Sequence, residues 1–474
     1  MRSPIFKRWG ASLGILAAYL GFLWLAQPAI NSALHLCPLR GDGIRGVSAL
    51  PAFARKYNMS CDQCHYAFPV LNAYGRQFKM NGYVRNAGDD EGVLKSQDGD
   101  LWMEKLFPWA VIIRSRPLDN GKGAVSNQGT QMGGTASPNS NGFKMQPINA
   151  VDMFVAGGDA AKRISWFGEL DANVPGGFTP GMGDMRAGYH PYQSLNIIAA
   201  RRGFFADDPY QTIVSNESPT IANRATDLLF ADQGSISGNT LIPTQQILYA
   251  YGQAFLPHNP DSFSSPGFLY YAGGISKDSS DGAQANAPTN GNVRLAYDNG
   301  NGLMLGTFGS YGHEGPMAAA GAASGAPGLG IAGPGGELTQ LVRGGFDGLW
   351  EFGDFAARAA FVYLHDEDPA VAGAAATDRA AYAELAYSYK RGNNSYPFLM
   401  PLIRENWYTT FNGAEQFNYV TAQLAHFFAA NLKAFIEYSV DTKRGYQGGS
   451  LINPESGTLA PLGNRVTAQI EVGF

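Results

Sequence analysis

The last ten residues, RVTAQIEVGF (465–474), carry the pattern on which the fold interpretation rests. Every even-numbered position in this stretch is apolar or aromatic: Val466, Ala468, Ile470, Val472 and Phe474. The odd-numbered positions are polar, charged or glycine. Successive side chains of a β-strand point to opposite faces, so this strand has one apolar face and one polar face. Such a strand is typical of a membrane β-barrel, in which the outer face meets lipid and the inner face lines a polar lumen.

Similar alternating runs recur from about residue 106 to the C-terminus. About 15 candidate strands can be recognised, at 107–113, 151–155, 164–172, 195–201, 247–255, 268–274, 293–297, 303–311, 341–352, 355–363, 383–389, 407–411, 417–428, 432–440 and 465–474. Bacterial single-chain barrels have even strand numbers. The sequence therefore predicts an all-β fold over residues 106–474: a closed antiparallel transmembrane β-barrel of about 16 strands, with about 14 or 18 as alternatives. The terminal Phe474 resembles the assembly signal of bacterial outer-membrane proteins, which indicates the outer membrane.

The composition agrees with a barrel and excludes several other classes. Charged residues make up 15% of the 474 residues, against about 25% in average proteins. Glycine occurs 60 times, and aromatic residues make up 12%. These values do not suit a charged soluble enzyme, a coiled coil or a disordered tail. Beyond residue 30 no apolar run reaches the ~18 residues of a spanning helix, and a net charge of −5 offers no basic surface for nucleic acid.

Several links between the candidate strands are long and polar or rich in Gly and Ala: 117–145, 204–243, 276–291, 312–338 and 441–464. Long links of such barrels normally lie on the extracellular side and short turns on the periplasmic side. The alternation of short and long links fails between residues 173 and 243, where two long links follow each other. Two explanations stay open, a strand that the pattern does not reveal and a link that folds into the lumen.

The N-terminus has the layout of an export signal. Arg2, Lys7 and Arg8 precede the apolar stretch 9–26, and basic residues followed by an apolar run are typical of such signals. We assign residues 1–49 to a leader that is removed, with an uncleaved anchor as the alternative because the apolar stretch is long. Cys37 falls in this leader and is interpreted as a bystander.

The motif that carries chemistry is Cys61-Asp62-Gln63-Cys64-His65. C-x-x-C-H is the attachment signature of a c-type haem, in which the two thiols bind the porphyrin and the histidine binds the iron. Half of a zinc site is the first alternative, but no second C-x-x-C or His pair completes four ligands. A thioredoxin-like dithiol is the second, but no βαβ pattern surrounds the motif. We therefore predict one covalent haem, held by Cys61, Cys64 and the proximal ligand His65, in a small module over residues 50–105.

The sixth ligand of the haem iron is a separate question. Met80 follows His65 by 15 residues, and a thioether ligand raises the reduction potential, as in His/Met cytochromes c. We take Met80 as the candidate. The alternative is that Met80 only packs against the porphyrin as polarizable filler, while Met59 and Met103 are further candidates.

Three stretches carry a resemblance to a known family: PAFAR (51–55), MSCDQCH (59–65) and PVLNAYGRQFKMNGY (69–83). Together they resemble the start of the fused monohaem cytochrome–porins, outer-membrane proteins of iron-oxidising and related bacteria. Beyond these residues the resemblance is one of architecture, a small haem module followed by a barrel. The resemblance implies uptake of electrons from extracellular Fe(II), although the family includes members whose donor is not established.

These features together predict an electron conduit. A bilayer core about 30 Å thick excludes ions, so an electron donor that stays outside needs a redox centre within the barrel. The haem module is expected to dock in the lumen or at its periplasmic mouth, to take one electron from Fe(II) and to pass it to a periplasmic c-type cytochrome. Two alternatives stay open, a diffusion porin in which the haem module is a plug or sensor, and a haem peroxidase tethered to a barrel.

Two acidic groups are interpreted as solvated loop tips rather than metal sites. His365-Asp366-Glu367-Asp368 combines hard oxygen ligands with one imidazole and could bind Fe²⁺ transiently. Asp207-Asp208 is a shorter acidic pair. Charge runs are usually solvated, so both are assigned to loops. Tyr and Trp residues near strand ends are assigned to the interfacial girdle.

Overall fold

The structure is a computed structural model. It describes residues 51–57, 59–85, 93–95, 102–104, 109–120, 143–159, 163–173, 179–214, 219–222, 224–229, 245–256, 267–278, 289–314, 339–366, 376–391, 396–413, 415–446 and 465–473. The expected leader, Cys37 and the terminal Phe474 lie outside these ranges. None of the helices within these ranges has both the length and the apolar character needed to cross a bilayer.

Short elements come first in the chain: helix α1 (Pro51–Tyr57), strands β1 (His65–Ala67) and β2 (Val70–Leu71), helix α2 (Ala73–Met80), and strands β3 (Val93–Lys95) and β4 (Trp102–Glu104). The long strands follow: β5 (Trp109–Asn120), β6 (Phe143–Asp159), β7 (Ile164–Asn173), β8 (Thr179–Tyr192), β9 (Leu195–Arg201), β10 (Gln245–Phe255), β11 (Phe268–Asp278), β12 (Thr289–Asp298), β13 (Leu303–Glu314), β14 (Thr339–Phe352), β15 (Phe355–Asp366), β16 (Ala376–Tyr387), β17 (Leu399–Thr410), β18 (Glu415–Ala429), β19 (Leu432–Tyr446) and β20 (Arg465–Gly473).

Strands β5 to β20 form one closed barrel of 16 strands, in which each strand pairs with its neighbours in the chain. The ring closes where β20 pairs antiparallel with β5, from Val466 opposite Asn120 to Gly473 opposite Ile112. Closure gives every strand two neighbours, so no strand edge is left exposed. The predicted fold, a closed antiparallel barrel of about 16 strands, is confirmed.

The two faces of the wall differ as the alternation predicts. In β20, Ile470 points outward with 37% of its surface exposed, whereas Gln469 and Glu471 point inward and are buried. Large apolar side chains such as Val293, Leu305 and Ile403 are exposed on the outer surface, while Arg294 and Arg404 are buried within the ring. An apolar belt outside and polar residues inside identify a transmembrane β-barrel.

One end of the barrel carries tight turns, and we call it the short-turn end. Strands β8 and β9 are joined by two residues, as are β14 and β15. The β14–β15 turn is Gly353-Asp354, in which Gly353 has φ +59°, a backbone conformation that two-residue hairpin turns require and that glycine adopts without strain. Exposed aromatic residues surround this end, including Tyr192, Trp350, Phe352 and Phe355. The exposed positions of Tyr192 and Trp350 agree with the girdle interpretation, which stays a prediction.

The irregular region between residues 173 and 243 contains both features that the sequence left open. The missed strand is β8, whose sequence TPGMGDMRAGYHPY holds three glycines and two prolines, residues that are depleted in strands. The link that follows β9 folds inward, and its residues 203–214 are buried. We call the described parts of this link (203–214, 219–222 and 224–229) the lumenal segment.

Candidate functional site

Residues 51–57 and 59–85, here called the N-terminal segment, lie inside the barrel at the short-turn end. The Arg76 guanidinium donates two hydrogen bonds to the Glu351 carboxylate of β14, at 2.9 and 3.0 Å. Lys433 Nζ of β19 donates to the Phe68 carbonyl at 3.2 Å, and the Tyr66 hydroxyl donates to the Asp354 carbonyl in the β14–β15 turn. The segment is therefore held by strands from separate parts of the ring.

The two cysteines of the motif lie in one tight turn that is tied to helix α2. Residues Cys61–Gln63 form a single 3-10 turn, and the Cys64 amide donates to the Cys61 carbonyl at 3.1 Å. Asn72 donates from its side chain to the Asp62 carbonyl at 2.9 Å and caps α2 by accepting from the Gly75 amide. A Cβ on Gly75 would lie 2.0 Å from the Cys64 carbonyl oxygen, so only glycine allows the helix to approach the motif this closely.

His65 begins strand β1 directly after this turn, and its tautomer follows from its contact. Its Nδ1 lies 3.1 Å from the Pro69 carbonyl oxygen. A carbonyl oxygen only accepts hydrogen bonds, so Nδ1 carries the proton and the lone pair is on Nε2. An Nδ1–H donated to a backbone carbonyl is the usual support of a metal-binding histidine. The orientation of His65 therefore fits the role of proximal haem ligand.

The environment of the thiols does not suit redox exchange. Cys61 is buried and Cys64 half-buried, and neither is in a disulfide. Burial, and secondly the negative charge of Asp62, raise the pKa of Cys64 to about 11. Redox-active dithiols depend on a lowered pKa, so the environment of Cys64 argues against the dithiol interpretation. The motif residues present fit a covalently attached haem.

Met80 lies away from this turn, at the far end of helix α2. Its side chain is buried, and its sulfur is 3.1 Å from Gln253 Nε2 of strand β10. Its carbonyl oxygen accepts from the Tyr251 hydroxyl at 2.6 Å. The structure thus brings together Cys61, Cys64 and His65 but places Met80 against the barrel wall, and ligation by Met80 stays a prediction.

The other two candidate methionines, Met59 and Met103, give no further support for a sixth ligand of the haem iron. Met59 is half-buried beside Cys61, and its sulfur is 4.0 Å from the Tyr74 hydroxyl. Met103 belongs to the short strand β4, but its side chain lies outside the described part of the chain. His190 approaches the N-terminal segment at Gly82, yet its two ring nitrogens lie 2.7 Å from Ser165 Oγ and 2.9 Å from Asn196 Oδ1. Those contacts give His190 a structural role.

The lumenal segment crosses the barrel next to the N-terminal segment. The Ile221 and Ala222 amides both donate to the Glu437 carboxylate of β19 at 2.8 Å. The Tyr382 hydroxyl of β16 donates to the Thr212 carbonyl at 2.6 Å. These contacts satisfy backbone groups that would otherwise be buried without partners. The segment therefore forms a second layer of protein across the lumen.

The interpretation of Asp207-Asp208 as a solvated loop tip was wrong. Both side chains are buried; Asp207 pairs with Arg186 at 3.3 Å and Lys79 at 3.7 Å, and Asp208 pairs with Arg294 at 3.2 Å. Burial alone would raise the pKa of Asp207, but Arg186 and Lys79 outweigh it and the pKa is lowered. The error arose because the link carrying these residues folds inward. Lys79 thereby joins the N-terminal segment to the lumenal segment.

A second acidic group lies on the wall. Asp152 of β6 and Glu169 and Asp171 of β7 have carboxylate oxygens within 4.8 Å of one another, and Arg114 pairs with Asp152. Of the group predicted as a loop tip, His365 lies at the end of β15 with Nδ1 3.3 Å from Thr377 Oγ1. Glu367 and Asp368 fall outside the described ranges, so that interpretation stays a prediction.

Sequence reasoning missed a row of charges across β15, β16 and β17. Arg358 lies opposite Glu384, and Glu384 lies opposite Arg404. The Glu384 carboxylate is 3.1 Å from Arg358 Nη1, 3.4 Å from Arg404 Nη1 and 3.7 Å from Arg224 Nη2 of the lumenal segment. The available signal was that all three strand residues occupy inward positions of their strands, where a charged residue must find a partner inside the lumen.

The chain is therefore an outer-membrane-type β-barrel whose lumen holds an N-terminal segment and an inward-folded link. No protein-family model matches the sequence, and no curated protein is similar to it at a significant level. Among solved structures it is similar to an anion-selective porin from Comamonas acidovorans, with 10% identity, 77% of this chain and 98% of that chain covered and a TM-score of 0.48. It is also similar to OmpF of Salmonella typhi in complex with daunomycin, with 12% identity, coverage of 77% and 97% and a TM-score of 0.47.

A third similar structure is the trimer form of OmpT, an outer-membrane protein of Vibrio cholerae. It shares 10% identity, with 77% of this chain and 98% of that chain covered and a TM-score of 0.47.

Proposed function

We propose that the protein is an outer-membrane electron conduit. One electron passes from an extracellular donor, with Fe(II) as our first choice, through a single c-type haem to a periplasmic c-type cytochrome. The observation that carries the proposal is the C-x-x-C-H turn inside the barrel, with His65 Nδ1 donated to the Pro69 carbonyl. A redox centre attached there would lie inside the barrel, on a path through the insulating bilayer from an extracellular donor to a periplasmic acceptor.

The roles of the chain's own residues follow from their positions. Cys61 and Cys64 would form the two thioether bonds, and His65 would offer Nε2 to the iron. The haem supplies a one-electron carrier. Met80 is our candidate for the sixth ligand, which requires its sulfur to exchange its contact with Gln253 for the iron. The ion pair of Arg76 with Glu351 fixes the N-terminal segment in the ring.

The contents of the lumen favour an electron path over a solute path. The N-terminal segment is anchored at the short-turn end by Arg76 and Tyr66, and the lumenal segment is anchored to β16 and β19 by Thr212, Ile221 and Ala222. Two layers of protein therefore lie across the route that a diffusing solute would take. Electron transfer needs no open passage, so filling the lumen does not prevent it.

The test is reduction of the oxidised full-length protein by Fe(II) in detergent, followed by the haem absorption bands. We expect reduction by Fe(II) as well as by dithionite. The double variant Cys61→Ser/Cys64→Ser, which has no thiols for attachment, serves as the control and should show no covalent haem. Reduction by dithionite without any reduction by Fe(II) would exclude Fe(II) as the donor, and a wild-type protein without covalent haem would exclude the conduit.

A diffusion porin, with the N-terminal segment as a plug or sensor, is the second candidate. The ring itself favours it, because 16 strands around a charged lumen suffice for a porin. Conductance in planar bilayers separates the two candidates. A permanently open channel of the full-length protein supports the porin, and a closed barrel that still accepts electrons from Fe(II) supports the conduit.

A further inference from the structure

The charged row on β15, β16 and β17 contains more positive than negative charge. Arg224, Arg358 and Arg404 surround the single carboxylate of Glu384, and all four side chains are at most 3% exposed. The next acid of the lumenal segment, Asp227, accepts the Arg224 amide at 2.8 Å. Together with Asp227, these five described side chains carry one net positive charge. A buried excess of charge is costly unless a further anion offsets it.

Among the described residues, one donor of Arg358 and one of Arg224 have no hydrogen-bond partner. They are Arg358 Nη2 and Arg224 Nε, both buried. A buried guanidinium donor left without an acceptor loses more free energy than a neutral one, and native structures retain few such groups. Arginine is also the side chain best suited to bind a carboxylate through two parallel hydrogen bonds. The excess charge and the unused donors both indicate an acidic ligand with carboxylate-like oxygens.

The cluster lies next to the strand that carries His65. The Tyr66 hydroxyl is 3.5 Å from the Ala386 carbonyl, and Ala386 lies opposite Ala356. Arg358 and Glu384, themselves opposite each other, are two residues further along the same strands, on the same face. The cluster is thus one inward position deeper in the lumen than the wall contact of Tyr66, the residue that follows His65.

We infer that Arg358, supported by Arg224, binds a propionate carboxylate of the haem. This inference rests on the proposed function, because it requires a haem attached at Cys61 and Cys64. The propionates of a porphyrin are not used in the two thioether bonds, so a haem attached at Cys61 and Cys64 would keep both carboxylates for partners elsewhere in the lumen. The charge of that one propionate would offset the single excess positive charge around Glu384.

The test compares Arg358→Gln with Arg343→Gln in the full-length, haem-loaded protein. Arg343 is an equally buried arginine on β14, opposite Leu364 of β15 and therefore six residues further than Arg358 along that strand from the short-turn end. Resonance Raman spectroscopy reports the propionate bending band, which shifts when a hydrogen bond to the carboxylate is lost. We expect a shifted band and a lower reduction potential for Arg358→Gln, since removal of a nearby cation favours the ferric state. Arg343→Gln should change neither.

The outcomes separate the two proposals. Haem-loaded Arg358→Gln protein with an unchanged propionate band would overturn the propionate site and leave the conduit standing. Wild-type protein without covalent haem would overturn the conduit. If Arg358→Gln does not assemble, Arg358→Lys takes its place, because it keeps the charge but cannot form the paired hydrogen bonds; its band should shift while the potential changes little, and an unchanged band would again overturn the site.

Discussion

The wall of the barrel and the chain inside it are stabilised in different ways. In the wall, β14 and β15 pair without interruption from Leu341 opposite Asp366 to Phe352 opposite Phe355, so backbone hydrogen bonds hold the strands together. Inside, the N-terminal segment meets the wall through individual side chains such as Arg76 and Lys433. The wall should therefore tolerate changes at single inward positions, whereas the position of the contents should depend on them.

Removal of residues 51–85 is the strongest way to test this difference. The strand ladder includes none of these residues, so we expect the ring to assemble and the short-turn half of the lumen to open. Planar-bilayer recordings should show only a small rise in conductance while the lumenal segment still crosses the barrel, and a large rise when that segment is deleted as well. The Cys61→Ser/Cys64→Ser variant, which keeps the segment, should stay closed. A deletion variant that cannot form a heat-resistant barrel would show that the wall depends on its contents.

Arg76→Gln should loosen the N-terminal segment without unfolding the ring. The substitution leaves the Glu351 carboxylate, whose side chain is 12% exposed, without its bidentate partner, and breaking a buried ion pair in this way costs roughly 3–5 kcal/mol. Amide hydrogen exchange should become faster across residues 59–85 and stay unchanged in β14. The double variant Arg76→Gln/Glu351→Gln leaves no unpaired charge and should restore most of the protection. Equal exchange in wild type and single variant would contradict this anchor.

A charge on the lipid face tests the wall itself. Ile403 is 53% exposed on the outer surface, beside the inward-facing Arg404. Arginine on the lipid face costs about 2–4 kcal/mol at the bilayer midplane and less near the interface, so Ile403→Arg should lower the free energy of unfolding measured by guanidinium titration in lipid vesicles. Ile403→Leu keeps the surface apolar and should behave like wild type. A wild-type midpoint for Ile403→Arg would mean that this face does not meet lipid.

Tyr382→Phe is the mildest change and concerns one hydrogen bond of the lumenal segment. The ring stays in place over the Arg224 guanidinium, 4.7 Å from its centroid, but the Thr212 carbonyl loses its donor. A single buried hydrogen bond contributes about 0.5–1.5 kcal/mol, so exchange near Thr212 should increase modestly. Tyr363→Phe, on the exposed outer face, should leave that exchange unchanged. An increase of the same size in both variants would be inconsistent with the Tyr382 contact.

The alternation of apolar and polar side chains predicted most strands of the wall, because successive residues of a strand point to opposite faces. β20 could be recognised from Val466, Gln469 and Ile470 alone. β8 could not, since its glycines and prolines break the alternation of apolar and polar residues. It forms a strand nevertheless, because it pairs with β7 and β9. Within the candidate site, the spacing of Cys61, Cys64 and His65 is local and therefore readable.

The contacts inside the lumen join residues that are far apart in the chain and leave no periodic trace. Arg76 and Glu351 are separated by 275 positions, and Glu437 binds amides 216 and 215 positions away. Asp207 and Asp208 have the composition of a surface loop, and only the inward course of their link buries them. Partners of this kind depend on the closed ring, which sequence reasoning predicts in outline but not in register.

The barrel closes only when β20 pairs with β5. The N-terminal segment, residues 51–57 and 59–85, has to be enclosed when this pairing forms, or else enter afterwards through the mouth of the barrel. Under the proposed function, the porphyrin is installed on chain that is still accessible to the cytochrome-maturation enzymes. If the segment is enclosed as the ring closes, attachment of the cofactor would have to precede assembly of the barrel in the outer membrane.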